Sequence, residues 1–361
     1  MGLAQISGIR IAGVAAAVPD NVRYPSEWNG QFGADVVAEI VKNTGVQKRY
    51  ISLPRMCCSD LCVAAAKRLL EEGNWTPGSI DAVIFLSQNP DYRLPCTAAL
   101  IQRRLELPTE CAAFDVNLGC SGYVYGLWLA GSLIAGGGMK RILFLSGDAS
   151  RKSSSEDRSV GLLFGDAGSA TIIERSEQID TFTFVLGTDG RGANNLIIPA
   201  GGARNPSNES TRLSLPDGKG NFRSQEEVHM NGAEIFAFTL KEVPRMIERV
   251  LAASGKTIVN IDSVVLHQAN KFMLEHLAKR IKIPAEKLPL SLGEYGNTSS
   301  ASIPVTMIHC LREQLRSRRM ELLLSGFGVG YSWGAVICTC GPMVMPEVTL
   351  VGADGIDQEA L

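Results

Sequence analysis

Short, uninterrupted apolar runs recur along this chain: IAGVAAAV at residues 11–18, AVIFL at 82–86, RILFL at 141–145 and ELLLS at 321–325. They are continuous rather than alternating, which suits strands buried on both faces between layers of helix. The runs also repeat. Residues 68–89, RLLEEGNWTPGSIDAVIFLSQN, align without a gap on residues 249–270, RVLAASGKTIVNIDSVVLHQAN, so that Arg68 meets Arg249, Asp81 meets Asp262 and Asn89 meets Asn270. After a slip of two residues, MKRILFLSG ending at Gly147 and RMELLLSG ending at Gly326 form a second matching pair. An internal repeat of about half the chain predicts a layered α/β structure of two duplicated halves, residues 1–180 and 181–361. Two stretches escape the pattern. Residues 202–227 are polar, with Gly and Pro, and predict a long loop or hairpin that is either a lid over a pocket or a surface insertion. The tail from Gly341 begins with a candidate edge strand and ends acidic.

Composition narrows the function classes. With 361 residues, 45% of them hydrophobic, the chain can bury a large core. Its 35 Lys+Arg against 37 Asp+Glu give no general attraction to nucleic acid or to an anionic membrane. The apolar run that follows Arg10 is too short to span a bilayer and no signal peptide is visible, so a cytoplasmic protein is expected. Nine scattered cysteines argue for reduced thiols. Cys57, Cys58 and Cys62 raise the question of zinc, but no second Cys or His pair follows at finger spacing, and small buried side chains are the reading preferred; no metal is expected.

One thiol stands in a different context. In FDVNLGCSGYVYG, Cys120 lies where an extended run ends and a helical pattern begins. A helix amino end favours an anion, which would lower the thiol pKa, and the flanking glycines allow close approach of a substrate. A nucleophile and a structural cysteine both fit. His267 ends the strand IDSVVL and would project toward the same cleft, or merely cap the following helix. His276 and His229 have no such setting, and His309, after an apolar stretch, reads as packing. Asn297, in YGNTSSASIP, is either a turn residue or a carboxamide able to stabilise a developing oxyanion without titrating. GFGVGYSWG at 326–334 is a glycine-rich turn between strands whose N–H groups could complete an oxyanion hole; it lacks the lysine of a phosphate loop.

Taken together, DVNLGCSG, LHQAN, YGNTSSAS and GFGVGYSWG resemble the Cys-His-Asn ketosynthases of the thiolase superfamily, most closely the β-ketoacyl-acyl carrier protein synthase III family, over roughly residues 8–340. The resemblance implies a thiolase-like five-layered αβαβα fold and a homodimer. It implies a decarboxylative Claisen condensation: Cys120 is acylated by an acyl thioester, and His267 and Asn297 stabilise the enolate formed when malonyl-acyl carrier protein loses carbon dioxide. The backbone N–H groups of Cys120 and Val329 would hold the second oxyanion. No cofactor is implied beyond the substrates, acyl-CoA and malonyl-acyl carrier protein. Arg151, Leu94, Asn270, Phe272 and Gly232 fall at substrate-binding positions, and Lys271, Lys279, Arg280 and Lys282 form a basic face for an acidic carrier or a solvated helix face.

The chain also departs from that family. Where a nucleotide-stacking aromatic and an arginine are usual, EIVKNTGV carries Glu39 and Asn43; Phe272 replaces a common arginine, and Val329 a central glycine. These departures suggest a paralogue with a specialised substrate, in secondary metabolism or polysaccharide modification. A non-decarboxylating acyltransferase and a non-catalytic partner subunit are the alternatives; a cysteine hydrolase lacks any feature that would favour water as acceptor.

Overall fold

The computed structural model describes residues 2–149, 153–178 and 180–356. The strands that build its two large sheets are β1 (Gly2–Ser7), β2 (Ile9–Pro19), β3 (Ala82–Leu86), β4 (Ala112–Val116), β5 (Arg141–Asp148), β6 (Ala167–Arg175), β7 (Thr181–Thr188), β8 (Ser263–Leu266), β9 (Met320–Gly328), β10 (Ser332–Cys340) and β11 (Thr349–Val351). The longer helices are α1 (Ala34–Thr44), α2 (Cys58–Glu72), α3 (Thr97–Arg104), α4 (Gly122–Gly137), α5 (Gly232–Ser254), α6 (Lys271–Ile281) and α7 (Ser302–Ser317).

The repeat read from the sequence is a repeat of topology. One sheet runs β11-β2-β6-β5-β3-β4 and the other β1-β7-β10-β9-β8. Within the first, β2 and β6 are antiparallel, β6 and β5 antiparallel, and β5 and β3 parallel. Within the second, β7 and β10, β10 and β9, and β9 and β8 repeat those directions in the same order. The chain ends cross between the two units: β1 pairs with β7, and β11 lies along β2 as an edge strand.

Three buried clusters define the layers. Residues of α4 and α7 share one core with the facing sides of both sheets, through Tyr123, Leu127, Ile303, Leu311, Phe144 and Leu324 among others. A second core packs α2 and α3 on the outer face of the first sheet, and a third packs α5 and α6 on the outer face of the second. The order is therefore αβαβα. Helix α4 is apolar on nearly every side because both of its faces are covered. Its small residues set the spacing: a Cβ at Gly126 would fall 2.0 Å from the Phe144 ring, so alanine there would force helix and sheet apart.

All nine cysteines are free thiols, six of them buried. Of the three expected to be small buried side chains, Cys58 and Cys62 are buried and Cys57 is half-buried because it sits at the N-cap of α2; Cys96 is exposed on the loop before α3. His309 was expected to be a packing residue. It is exposed on α7, its ring edge-on to Tyr295, because the buried face of that helix is carried by its neighbours Ile308 and Leu311. Among the described residues no helix is long and apolar enough to cross a membrane, and no cluster of three or more His, Cys, Asp or Glu could hold a metal ion.

Residues 202–227 form an excursion with one short helical turn and a hairpin pairing Leu215–Pro216 with Phe222–Arg223. It is anchored on the segment after β5. The Arg223 guanidinium meets the fully buried Asp157 carboxylate at 2.6 Å, and the Ser154 hydroxyl donates to the Phe222 carbonyl at 2.8 Å. At its base, Leu196–Ile197 pair with His229–Met230.

Candidate active site

The chemistry gathers at the carboxyl ends of strands from both halves, where α/β folds place their ligands. Cys120 lies between β4 and α4, two residues before the helix begins, with Ser121 at the N-cap. His267 directly follows β8, its N–H bonded to the Ser325 carbonyl at 2.7 Å. Asn297 is clamped main chain to main chain: its N–H donates to the Leu163 carbonyl at 3.0 Å, and its carbonyl accepts from Gly165 at 3.1 Å. That approach requires glycine at 296, whose φ is +67° and where a Cβ would sit 2.8 Å from the Leu163 carbonyl.

Cys120 is 8% exposed and lines a cavity of about 350 Å³. Asn297, Ser299 and Val329 line it too, with Gln88, Asn89, Asn117 and Asp148 on the polar side and Leu196, Ile197, Ile198 and Val228 as an apolar wall. The Ser299 hydroxyl lies 3.9 Å from the Cys120 Sγ. Main-chain N–H groups of Cys120 and Val329 also face the sulfur. The thiol's acidity is the reverse of the sequence expectation. Burial pushes it up to about 11, outweighing the Ser299 hydroxyl and the two N–H groups, with the Asp148 charge adding to the rise. The position of the helix end was read correctly, but the cost of desolvating a thiolate there exceeds what the helix end returns.

His267 is buried, with Nδ1 2.7 Å from the Ser302 hydroxyl and its ring edge-on to Phe327. Burial pushes its pKa down to about 4, only partly offset by hydrogen bonding to the Ser299 main chain, so the imidazole is neutral at physiological pH. The Asn297 amide donates to the Ala269 carbonyl at 3.3 Å and its Oδ1 accepts from Ser299 N–H at 3.0 Å, which fixes the carboxamide beside HQAN. A buried thiol and an oriented amide thus line one cavity with two convergent N–H donors, and a neutral imidazole lies against the Ser299 main chain beside it. Such a set can form a covalent thioester and stabilise developing oxyanions without titrating near neutral pH.

Residues 114–190 match the 3-oxoacyl-(acyl-carrier-protein) synthase III family model, and residues 251–340 match its C-terminal model. The β-ketoacyl-(acyl-carrier-protein) synthase III of Desulfitobacterium hafniense (strain Y51) is 33% identical over 341 residues, which cover 91% of this chain and 97% of that protein. The chain belongs to this ketosynthase family. The crystal structure of a 3-oxoacyl-(acyl-carrier protein) synthase from Burkholderia xenovorans LB400 superposes with a TM-score of 0.92 at 42% identity, covering 97% of this chain and 99% of that one. The synthase III of Thermus thermophilus gives a TM-score of 0.81 at 30% identity, over 92% and 99% of the two chains. This ketosynthase is accordingly an acyltransferase of the thiolase-like fold.

The remaining expected positions that are described are not among the residues lining the cavity. Leu94, 82% exposed, stands on the loop before α3. Asn270 caps α6 by accepting from Met273 N–H at 2.8 Å, Phe272 lies on the His276 ring at 4.1 Å, and Gly232 opens α5. Lys271, Lys279 and Arg280 are exposed on α6, and Lys282 is exposed just beyond its end. Glu39 and Asn43 are exposed on α1, which packs on α6. Arg151 lies outside the described residues. Sequence reasoning missed Asp148 and Ser299; the first directly follows the MKRILFLSG run and ends its strand, and the second sits inside the YGNTSSAS motif.

Proposed function

We propose that this ketosynthase condenses an acyl primer with malonyl-acyl carrier protein through an acyl-Cys120 intermediate, giving a 3-oxoacyl thioester. Cys120 Sγ attacks the primer thioester, the carbonyl oxygen resting between the N–H groups of Cys120 and Val329, and the donor's thiol departs. In the second half-reaction the neutral His267 imidazole and the Asn297 amide donate to the malonyl thioester oxygen. The carboxylate carbon leaves as carbon dioxide, its electron pair passing into the enolate. The enolate carbon attacks the acyl-cysteine carbonyl, the bond to Sγ breaks, and the product leaves two carbons longer than the primer. Two neutral donors favour this step because an imidazolium would protonate the carbanion it stabilises.

The observation that carries the reading is the buried His267 ring, held neutral and bonded to the main chain of Ser299, which lines the thiol's cavity together with the fixed Asn297 carboxamide. An apolar wall of Leu196, Ile197, Ile198 and Val228 fits an alkyl or aryl primer. With Glu39 and Asn43 on the surface of α1, recognition of a CoA nucleotide by an aromatic and an arginine is absent at those two positions, which favours a carrier-borne donor. The exposed Lys271, Lys279, Arg280 and Lys282 supply a surface for an acidic carrier protein, and Leu94 a surface for a second copy of the chain in a homodimer. Arg151, Asn270, Phe272 and Gly232 remain candidate contacts for the incoming thioester.

The test is intact-protein mass after incubation with short, medium and aryl acyl thioesters, presented on CoA and on carrier protein. An adduct on the native chain and none on Cys120→Ala supports the reading. No adduct from any donor overturns it.

A further inference from the structure

Asp148 ends β5 and lines the same cavity as Cys120, on a side that the condensation mechanism leaves without a task. Its Oδ1 is fully engaged, accepting from the Ser87 hydroxyl at 2.9 Å and from Gln88 N–H and the Asn89 amide at 3.0 Å each. Its Oδ2 is buried with no hydrogen-bond partner among the described residues. A buried, unpartnered carboxylate oxygen costs free energy unless something uses it. The Ser299 hydroxyl faces this carboxylate and also lies 3.9 Å from Cys120 Sγ, so it stands between the two.

We propose that Asp148 is a positioning residue that accepts the Cys120 proton through the Ser299 hydroxyl while the acyl-cysteine bond forms, an inference that rests on the ketosynthase reading. As Sγ bonds to the acyl carbon, its proton moves to Ser299 Oγ and the Ser299 proton moves to Asp148 Oδ2. The bond from the acyl carbon to the donor sulfur breaks, and the proton returns along the same path to the departing thiolate, leaving a free thiol and an ionised Asp148.

Two further observations favour this path. The His267 ring is a poor acceptor, since burial holds it neutral down to about 4 and Nδ1 is already bonded to Ser302. Among the described residues, the titratable groups interacting with the carboxylate are Cys120 across the cavity and Cys58 on α2, and neither supplies positive charge. Burial raises the Asp148 pKa, opposed first by Ser299 and then by Gln88, Asn89 and Ser87, which makes the carboxylate a better proton acceptor than a solvated one. The thiol, at about 11, still holds its proton more tightly, so transfer accompanies bond formation rather than preceding it.

The experiment uses Asp148→Asn, which keeps an oxygen for the three donors, together with Ser299→Ala, Ser299→Thr and the Asp148→Asn/Ser299→Ala double variant. Alkylation of Cys120 by iodoacetamide, followed by peptide mass against pH, reads the thiol alone. Single-turnover loading by the donor that labels the native chain fastest reads the acyl transfer. Asp148→Asn removes a like charge, so the alkylation midpoint should move down and alkylation at pH 7 should rise, while loading at pH 7 falls about 10²-fold. Ser299→Ala should slow loading to a similar degree, Ser299→Thr should restore it to within about fivefold, and the double variant should load no more slowly than Ser299→Ala. A merely structural role would lower alkylation and loading together; that outcome, an unchanged midpoint, or native loading in Asp148→Asn would overturn the relay. A native chain that no donor loads would sink the ketosynthase reading itself, whereas loading indifferent to these variants sinks only the relay.

Discussion

Gly328, at the end of β9, closes on Cys120 from the opposite half of the molecule: a Cβ added there would lie 2.9 Å from the cysteine Cβ and 3.1 Å from Sγ. The duplication therefore supplies more than a second sheet. One half carries Cys120, the proposed nucleophile, and the other brings a bare backbone against it and carries His267 and Asn297. Gly328→Ala should leave the fold intact but displace the thiol, slowing acylation by about 10²-fold, since a misplacement of about 1 Å at a reacting atom costs that much. Loading by intact mass, set beside the thermal midpoint, checks it; native loading rates would mean that the thiol is not held where the structure puts it.

The buried imidazole makes stability depend on pH in a definite direction. In the folded chain His267 titrates near 4 against an ordinary value of 6.5, so the unfolded chain binds the proton first as pH falls. The stability from keeping the ring neutral is whole above about 6.5 and is lost progressively between about 6.5 and 4, up to something on the order of 3 kcal/mol. Urea unfolding at pH 7.5 and pH 4.5 should show a steeper loss in the native chain than in His267→Gln. Equal losses in the two would contradict the burial argument.

Arg223 and Asp157 fasten the 202–227 excursion to the segment that leads toward the cavity. Removing the arginine leaves a fully buried carboxylate without its counter-charge, its Oδ1 still bonded to Ser159, which costs about 3–5 kcal/mol, most of it local to the excursion. Arg223→Ala should expose residues 202–227 to limited proteolysis at least tenfold faster, and Arg223→Ala/Asp157→Asn should recover part of the protection. Unchanged cleavage would show that the hairpin is held by other contacts.

The sequence carried most of the architecture because the duplication is written in apolar runs whose period and order survive in both halves. β2, β3, β5 and β9 fall on the runs that were read as strands, and the Gly-rich stretch after β9 is the turn before β10. Cys120, His267 and Asn297 were legible because each stands at the end of such a run in a polar or glycine-rich break. What could not be read was long-range environment. The thiol's helix-end position is local, but its burial, with Gly328 of β9 packed against it, and the nearby Asp148 charge are long-range, so the sign of its pKa shift was out of reach. The same limit hid Asp148 and Ser299, whose pairing across the two halves exists only in three dimensions.

In the proposed reaction Cys120 loads the primer while His267 and Asn297 serve the condensation. The most direct measurement is the mass of the chain and of its product after malonyl-acyl carrier protein is added to preloaded native and Asn297→Ala proteins. The account expects the native adduct to be discharged as a thioester two carbons longer, and Asn297→Ala to load at a near-native rate yet discharge about 10²-fold more slowly or worse. If Asn297→Ala discharges as fast as the native chain, or if the native adduct is passed on without gaining two carbons, the assignment of the condensation to this site is contradicted.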